Sequence, residues 1–283
     1  MIDLHLHTRA SDGTWTAEET VREAMRAGLS ALAVTDHDSV ASVAAGMAAA
    51  ARWGRRFITG VELTAAWEGE EDLHLLGYGI DPASPALRRI LDYNQRVWAE
   101  NERQSLARLA EIGISIPPER YEYWRAHTEA GGWPTLNCLK ELGLVKDYRE
   151  YFAKYFGPGR PAHVHRRFAE PEEVIAAIHG AGGVAVIAHP GAYDPEGRTV
   201  LERPGFLDRL REMGLDGIEA IANENSPPVT EYLLAYCRRY GLLATGGSDC
   251  HGEFVPNRAI GRPPVPDGYL PPLLARLRAG TYV

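Results

Sequence analysis

Short apolar runs recur along the chain, and most of them are followed directly by polar side chains. The clearest runs lie at residues 29–35, 57–61, 73–78, 184–188, 217–221 and 242–248. Runs of this length, bounded by turn residues, predict buried parallel strands. Between them, apolar residues recur at helical spacing, as at Val21, Ala24 and Met25. The pattern therefore predicts an α/β fold in which strands alternate with helices.

This alternation is interrupted once, by long helical stretches between about Pro85 and Gly157. The α/β pattern resumes after the sequence Gly157-Pro158-Gly159, which breaks helices. We therefore predict an α/β domain formed by residues 1–81 and 160–283, with a helical insertion domain at residues 82–159. The insertion enters after the apolar run that contains His74 and leaves before the run that ends at His189, so it should cap one end of the α/β domain.

Histidine and carboxylate residues stand in or just after most of the predicted strands. They are His5, His7, Asp12, His37, Glu62, His74, His189, Asp249 and His251. Barrels and doubly wound sheets build their sites from the loops at the carboxyl ends of successive strands. Imidazole and carboxylate groups suit divalent first-row metals. The recurrence predicts one metal site, although His5 and His7 taken alone could simply be alternating residues of a strand.

Composition excludes several other classes of protein. The chain has 283 residues and a formal net charge of -8, which argues against binding of duplex or long nucleic acid. Three cysteines without a CxxC motif predict a reducing, cytoplasmic environment. The chain shows no signal-peptide pattern and no apolar stretch long enough to span a bilayer, so we expect no membrane association.

The ordered set of motifs resembles the PHP (polymerase and histidinol phosphatase) family of phosphoesterases. The motifs are His5-Leu6-His7-Thr8, Ser11-Asp12-Gly13, Thr35-Asp36-His37-Asp38, Gly60-Val61-Glu62, His74-Leu75-Leu76-Gly77-Tyr78, Ala188-His189-Pro190 and Gly247-Ser248-Asp249-Cys250-His251-Gly252. The resemblance implies a distorted (β/α)7 barrel with a cluster of two or three divalent ions at its mouth. It leaves open whether the ions are Mn, Fe or Zn.

Carried over motif by motif, the resemblance divides the candidate ligands among three ions. The first ion would take His5, His7, Glu62 and Asp249, the second Glu62, His74 and His189, and the third Asp12, His37 and His251. Glu62, Asp12 and His37 would serve catalysis through a metal-bound hydroxide. Many family members carry His at the position of Asp12, and the Asp form resembles the nucleotide-phosphatase branch.

The resemblance implies hydrolysis of a small phosphorylated substrate by attack of a metal-bridging hydroxide. The substrate implied by this branch is an AMP-like nucleotide, a nucleoside 3',5'-bisphosphate or a very short oligonucleotide. Relatives often carry a Gly-Arg-Pro-His element in the insertion, where this chain has Trp133-Pro134-Thr135 instead. We therefore predict Arg160 or Arg198 as the phosphate contact, and Asn223 as a contact to a hydroxyl group or a base.

Two alternative functions remain open: one has a different substrate, and the other is a non-enzymatic class of protein. The same chemistry could act on histidinol phosphate or another phosphomonoester, although the long insertion and Asp12 favour a nucleotide. The chain could also be a metal-stabilised binding module without turnover, which the complete set of nine ligand-type residues disfavours.

Overall fold

The computed structural model describes residues 1–67, 72–191, 200–203 and 205–283, and the centre of this described part is a seven-stranded sheet. Neighbouring strands in the sheet follow the order of the chain. The strands are β1 (Ile2–Asp3), β2 (Ala31–Val34), β3 (Arg56–Ala66), β4 (Asp72–Tyr78), β5 (Val184–Ile187), β6 (Gly217–Ile221) and β7 (Leu243–Gly246).

The helices of the described residues alternate with these strands except in one long helical segment. They are α1 (Ala17–Arg26), α2 (Val43–Arg52), α3 (Pro85–Glu111), α4 (Pro118–Ala126), α5 (Pro134–Glu141), α6 (Tyr148–Tyr151), α7 (Pro171–Gly180), α8 (Phe206–Glu212), α9 (Pro227–Tyr240) and α10 (Leu270–Leu274). Shorter helical turns lie at Thr128–Ala130, Phe152–Phe156, Val200–Glu202 and Asp267–Tyr269.

The first and last strands approach each other just beyond their carboxyl ends, and this contact nearly closes the sheet into a barrel. The backbone N–H of Asp249 donates to the carbonyl of His5 at 2.9 Å. Leu6 and Cys250 form an isolated parallel bridge beside this hydrogen bond. The predicted distorted barrel is therefore confirmed, and its closure joins two of the segments that carry candidate ligands.

One strand runs against the prediction of a uniformly parallel sheet. β4 pairs antiparallel with both β3 and β5, whereas the other neighbouring pairs are parallel. The physical reason lies in the length of the connection between β3 and β4, which spans only residues 67–71. A parallel crossover needs a dozen residues or more, so a connection this short joins antiparallel strands.

Alternation along each strand divides the barrel's core into an inner and an outer layer. On β2, Ala31 and Ala33 face the barrel interior together with Tyr78 and Val186. Their neighbours Leu32 and Val34 pack instead with residues of α1 and α2. Both faces of the sheet are therefore buried, as the continuous apolar runs predict.

The stretch between β4 and α7 is helical, as its sequence predicts, and it packs around a small core of its own. This core contains Leu109, Leu136, Leu139, Val145, Tyr151, Phe156 and Ala162. Whether residues 82–159 form a separate domain stays a prediction. Within the described ranges, no helix combines the length and apolar character needed to cross a bilayer. The three cysteines are free and buried.

Candidate metal centre

Four loops and two strands bring the candidate ligands to one end of the barrel. His5 and His7 follow β1, His37 follows β2, His189 follows β5, and Asp249 follows β7. The remaining side chains project from strands: Glu62 lies in the middle of the long β3, and His74 lies near the start of β4. Because β4 is antiparallel, its first residues lie at the same end as the carboxyl ends of the other strands.

Glu62 is the central side chain of this cluster, and it is fully buried. Its carboxylate lies close to five histidine side chains of the described chain. Oε2 is 3.1 Å from His5 Nε2, 3.2 Å from His7 Nε2 and 3.2 Å from His37 Nδ1, while Oε1 is 3.0 Å from His74 Nδ1 and 3.1 Å from His189 Nε2. Each carboxylate oxygen thus faces a different group of imidazoles, which is the arrangement expected of a residue that bridges two ions.

Asp249 completes a first group of four ligand atoms with His5, His7 and Glu62. Its Oδ1 lies 3.0 Å from His7 Nε2 and 3.4 Å from His5 Nε2. One ligand atom from each of these four residues lies within 4.8 Å of the others. The membership is the one that the family resemblance implies for the first ion.

A second set of contacts joins Asp12 to the histidines on the other side of His7. Asp12 Oδ1 is 3.3 Å from His251 Nε2 and 3.8 Å from His7 Nδ1. His7, Asp12, His37 and His251 form a group with the same 4.8 Å limit, which adds His7 to the predicted third set. His37, Glu62 and His74 form the remaining group, and His189 contacts Glu62 beside it.

The chemistry of these side chains fits divalent metal ions. Nitrogen and oxygen atoms converge without a thiolate, a donor set that suits Mn, Fe or Zn. Within the described part of the chain, His7 Nδ1 is buried without a hydrogen-bond partner, and Asp12 Oδ1 and Asp249 Oδ1 face only imidazole nitrogens of the cluster. Buried polar atoms normally have partners, so atoms left unpaired in a cluster of ligand type indicate coordination.

The pKa values of the clustered side chains also favour the binding of a cation. Burial lowers the pKa of His7, but the hydrogen bonds and charges of Asp249 and Glu62 outweigh it and raise this pKa to about 10. Burial would raise the pKa of Glu62, yet the charge of His5 and its neighbours holds it well below its usual range. Burial lowers the pKa of His37 to about 3. The carboxylates therefore stay ionised and attract cationic charge to this position.

Backbone strain is concentrated at the same place. Three non-glycine residues of the described chain have φ in the left-handed region: His189 at 24°, Asp249 at 53° and Asp38, directly after His37, at 44°. Such conformations cost roughly 1–3 kcal/mol each and persist where the surrounding contacts enforce them. Their position next to the ligand cluster indicates that the fold holds these side chains for a function.

Glu219 on β6 supports the cluster from inside the barrel, and sequence reasoning missed it. Its carboxylate accepts hydrogen bonds from His5 Nδ1, at 3.0 Å and 3.2 Å, and from the backbone N–H of His189 at 2.7 Å. This contact turns His5 Nε2 toward Glu62. A carboxylate within an otherwise apolar, buried strand is the signal that could have identified it, because a buried charge needs partners.

Arg258 is a second residue that sequence reasoning missed. Its two terminal nitrogens pair with Asp249 Oδ2 and Glu224 Oε1. The side chain is only 22% exposed and lines the cavity above the cluster. Arg258 thereby holds one oxygen of Asp249, leaves the other facing His5 and His7, and adds positive charge beside the site.

The helical segment between β4 and α7 covers the cluster and encloses a cavity of about 790 Å³. One wall of this cavity includes His37, His74, His189 and His251. The facing wall is aromatic and includes Trp98, Trp133, Tyr151 and Phe156. A cavity of this size suits a small ligand, and it lies where the sequence predicts that the insertion caps the barrel.

Of the residues predicted to contact substrate, the structure describes Arg160 and Asn223, and neither lines the cavity. Arg160 is exposed and is not among the residues that line the cavity. The amide of Asn223 donates to the carbonyls of Ser248 at 2.6 Å and Arg262 at 3.3 Å, so it braces the loop before Asp249. Arg198 lies outside the described residues. The sequence alone could not show how far Arg160 and Asn223 lie from the ligand cluster, because both are far from most of its residues along the chain.

Several known proteins are similar to this chain along most of its length. Residues 3–155 match the family described as PHP domain. A 3',5'-nucleoside bisphosphate phosphatase from Chromobacterium violaceum is 39% identical over 261 residues, which cover 92% of this chain and 90% of that protein. A 5'-3' exoribonuclease from Haemophilus influenzae is 31% identical, covering 88% of this chain and 89% of the relative.

A similar structure has also been solved by crystallography. It is a protein from Bifidobacterium adolescentis that is provisionally named a metal-dependent phosphoesterase. The two chains superpose with a TM-score of 0.86 at 29% sequence identity, and the match covers 98% of this chain and 96% of the other.

Proposed function

The chain belongs to the PHP domain family, and on this premise we propose that it is a metal-dependent phosphoesterase whose substrate is a small nucleotide. One observation carries the proposal: nine ligand-type side chains from separate loops and strands converge around Glu62 at the barrel's mouth. Convergence from positions so far apart in the chain is not required by packing. It also argues against a binding module that uses only a single structural ion.

Under this proposal the nine side chains hold two or three divalent ions. Ions bound there would polarise phosphoryl oxygens and lower the pKa of a coordinated water. Glu62 would bridge two of them, because its two oxygens face different imidazoles. Asp12 and His37 would complete the third set, whose members lie on the cavity wall. Glu219 would fix the ring of His5 in the orientation that presents Nε2.

The size and lining of the cavity support a nucleotide as substrate. A volume of about 790 Å³ is ample for a mononucleotide, and the helical segment covers the end of the barrel where a long polymer would have to lie. Aromatic side chains such as Trp133 could stack on a base. Arg258 could contact a phosphate through its remaining N–H donors. The names of the relatives from Chromobacterium violaceum and Haemophilus influenzae support a 3',5'-bisphosphate or a short RNA end.

The cellular setting proposed is a reducing one such as the cytoplasm. All three cysteines are free thiols, and each is buried in the protein interior. Free thiols are usual where glutathione and thioredoxin keep proteins reduced.

The proposal is tested with a panel of phosphate esters and the full-length protein loaded with Mn²⁺. The panel contains adenosine 3',5'-bisphosphate, AMP, histidinol phosphate, a 5'-phosphorylated trinucleotide and a 30-nucleotide RNA. We expect phosphate release from the nucleotides with a kcat/KM about tenfold or more above that for histidinol phosphate, and loss of release in EDTA. Equal rates for the long RNA and the mononucleotides would contradict the enclosed-cavity argument. Absence of hydrolysis with Mn²⁺, Fe²⁺ and Zn²⁺ alike would contradict the proposed activity.

A further inference from the structure

The helical segment makes one set of contacts with Asp38, the residue after His37, and another with the backbone of Asp12. The two ligand-type residues concerned are Asp12 and His37. Both residues belong to the group formed by His7, Asp12, His37 and His251. We propose that the helical segment is a positioning element for this group and sets its affinity for an ion, in addition to enclosing the cavity. The inference rests on the metal-binding part of the proposed function. It assigns a role to α3 and to the Gly131-Gly132 turn that their sequences do not suggest.

The first contact runs from α3 to Asp38, the residue after His37. Asn94 Nδ2 donates to Asp38 Oδ1 at 2.7 Å, and Trp98 Nε1 donates to Asp38 Oδ2 at 2.9 Å. Gln95 Nε2 donates to the carbonyl of Asp38 at 3.2 Å. Three side chains of α3, at positions 94, 95 and 98, thus hold a single aspartate, whose left-handed φ of 44° would otherwise be unfavourable.

The barrel holds the same aspartate from the opposite side. Thr64 on β3 donates to Asp38 through its backbone N–H at 3.2 Å and through Oγ1 at 2.8 Å. The N–H of Asp38 donates to the carbonyl of Glu62 at 2.8 Å. The turn that carries His37 is therefore fastened between α3 and β3, so a change in α3 is transmitted to the position of the imidazole.

The second contact runs from the turn before α5 to Asp12. The N–H of Gly132 donates to the carbonyl of Asp12 at 2.7 Å, and Asn137 Nδ2 donates to the carbonyl of Gly131 at 2.9 Å. Both glycines have left-handed φ angles, and a Cβ on Gly132 would lie 2.8 Å from the ring of Phe254. This close approach requires glycine, so the turn is shaped to dock against the loop that carries Asp12.

The neighbouring group of His5, His7, Glu62 and Asp249 has its supports elsewhere. Glu219 holds His5 from β6, and Arg258 holds Asp249 from the loop after β7. Loosening the helical segment should therefore weaken ion binding at the groups that contain Asp12 or His37 and spare the group that Glu219 and Arg258 support. This selectivity separates positioning from a general loss of stability.

The test compares two test variants and two controls of the full-length protein, and a fifth variant, Asp12→Ala, identifies the ion site that contains Asp12. Trp98→Phe keeps the aromatic ring but removes the donor to Asp38, and Gly132→Ala disturbs the docking turn. Arg103→Ala is the control on α3, since this exposed side chain pairs with Glu100 of the same helix. Gly143→Ala is the control for glycine, because its φ is +71° but its Cβ would meet open space.

Each protein is stripped with EDTA, titrated with Mn²⁺ by calorimetry in the absence of substrate, and then assayed over a range of Mn²⁺ concentrations. In both test variants we expect the Kd of the weakest class of Mn²⁺ sites to rise about tenfold or more. The tighter sites and both controls should match the wild type. Excess Mn²⁺ should restore kcat, which a merely unfolded or distorted variant would not allow.

Three results would overturn the inference: equal weakening of all sites, test variants that match their controls, or a weakest site that survives Asp12→Ala unchanged. The metal titration uses no substrate, so failure of the inference can be distinguished from failure of the proposed function. If the wild type hydrolyses none of the phosphate esters but the two test variants show the selective loss of Mn²⁺ affinity, the proposed function is contradicted and the inference stands.

Discussion

Replacement of Glu219 by glutamine should weaken metal binding although Glu219 itself is not a predicted ligand. The carboxylate is fully buried and accepts hydrogen bonds from His5 Nδ1 and from the backbone N–H of His189. Glutamine has nearly the same shape but offers a single acceptor oxygen. Its NH₂ group, which cannot accept a hydrogen bond, must therefore face one of the two N–H donors, either His5 Nδ1 or the backbone N–H of His189.

The magnitude follows from what the contact does. The hydrogen bond from His5 Nδ1 to Glu219 orients the ring so that Nε2 lies 3.1 Å from Glu62 Oε2. Loss of the partner that orients a metal-binding imidazole typically lowers metal affinity 10- to 100-fold. That range corresponds to about 1.4–2.8 kcal/mol of binding free energy. We expect Glu219→Gln to fall within it, with a parallel loss of kcat/KM at limiting Mn²⁺.

The assay is calorimetric titration of the EDTA-stripped variant with Mn²⁺, followed by steady-state kinetics. Asp216→Asn is the matched control, because Asp216 directly precedes the same strand, β6, and accepts the N–H of Ala185 at 2.8 Å, away from the cluster. Thermal unfolding of both variants shows whether either substitution acts through stability alone. A Glu219→Gln protein with wild-type Mn²⁺ affinity would refute the reasoning that this carboxylate fixes His5.

Further predictions concern Glu62 as the bridge between two ion groups, the dependence of Mn²⁺ affinity on pH, and Arg258 as the contact to a substrate phosphate. Glu62→Gln should reduce both bound Mn²⁺ and turnover far more than Asp12→Asn, because Glu62 faces two ion groups and Asp12 only one; comparable losses with unchanged metal content would contradict this. The carboxylates raise the pKa of His7 to about 10 and the pKa of His5 well above its ordinary value. Mn²⁺ must therefore displace a proton from each imidazole in order to bind. Affinity should therefore fall as pH falls, by up to about 100-fold per pH unit if two protons leave, and a pH-independent Kd between pH 6 and 8 would exclude this coupling. Arg258→Ala should raise KM by removing a charged contact worth about 1.5–3 kcal/mol, while Arg160→Ala, an exposed control, should leave KM unchanged; equal effects of the two variants would remove Arg258 from the site.

The architecture and the grouping of the nine side chains could be predicted because both rest on local signals. Apolar runs locate strands, and polar residues after them share one end of a barrel. The first group of ligand atoms in the structure has the predicted members, the third gains His7, and the second contains His37 where His189 was predicted. That these residues bind metal and act in catalysis stays a prediction.

The supports of the cluster could not be predicted in the same way. Glu219 lies within an apolar strand, and Arg258 follows Asp249 by nine residues in a loop without regular spacing. Their roles depend on which side chains the barrel brings together across long sequence separations. For Arg160 and Asn223, sequence position likewise gives the chemistry of the side chain but not its distance from the cavity, and their contact with substrate stays a prediction.

Titration of metal-free protein with Mn²⁺ during hydrolysis of adenosine 3',5'-bisphosphate tests the central claim most directly. The EDTA-stripped protein is kept at a concentration well above its expected Kd for Mn²⁺. The initial rate of phosphate release is then measured as Mn²⁺ is added. We predict a rate near zero without metal, which rises and saturates after two or three equivalents of Mn²⁺. Full activity of the metal-free protein, or a rate that does not respond to added metal, would contradict the assignment of this cluster as a catalytic metal centre.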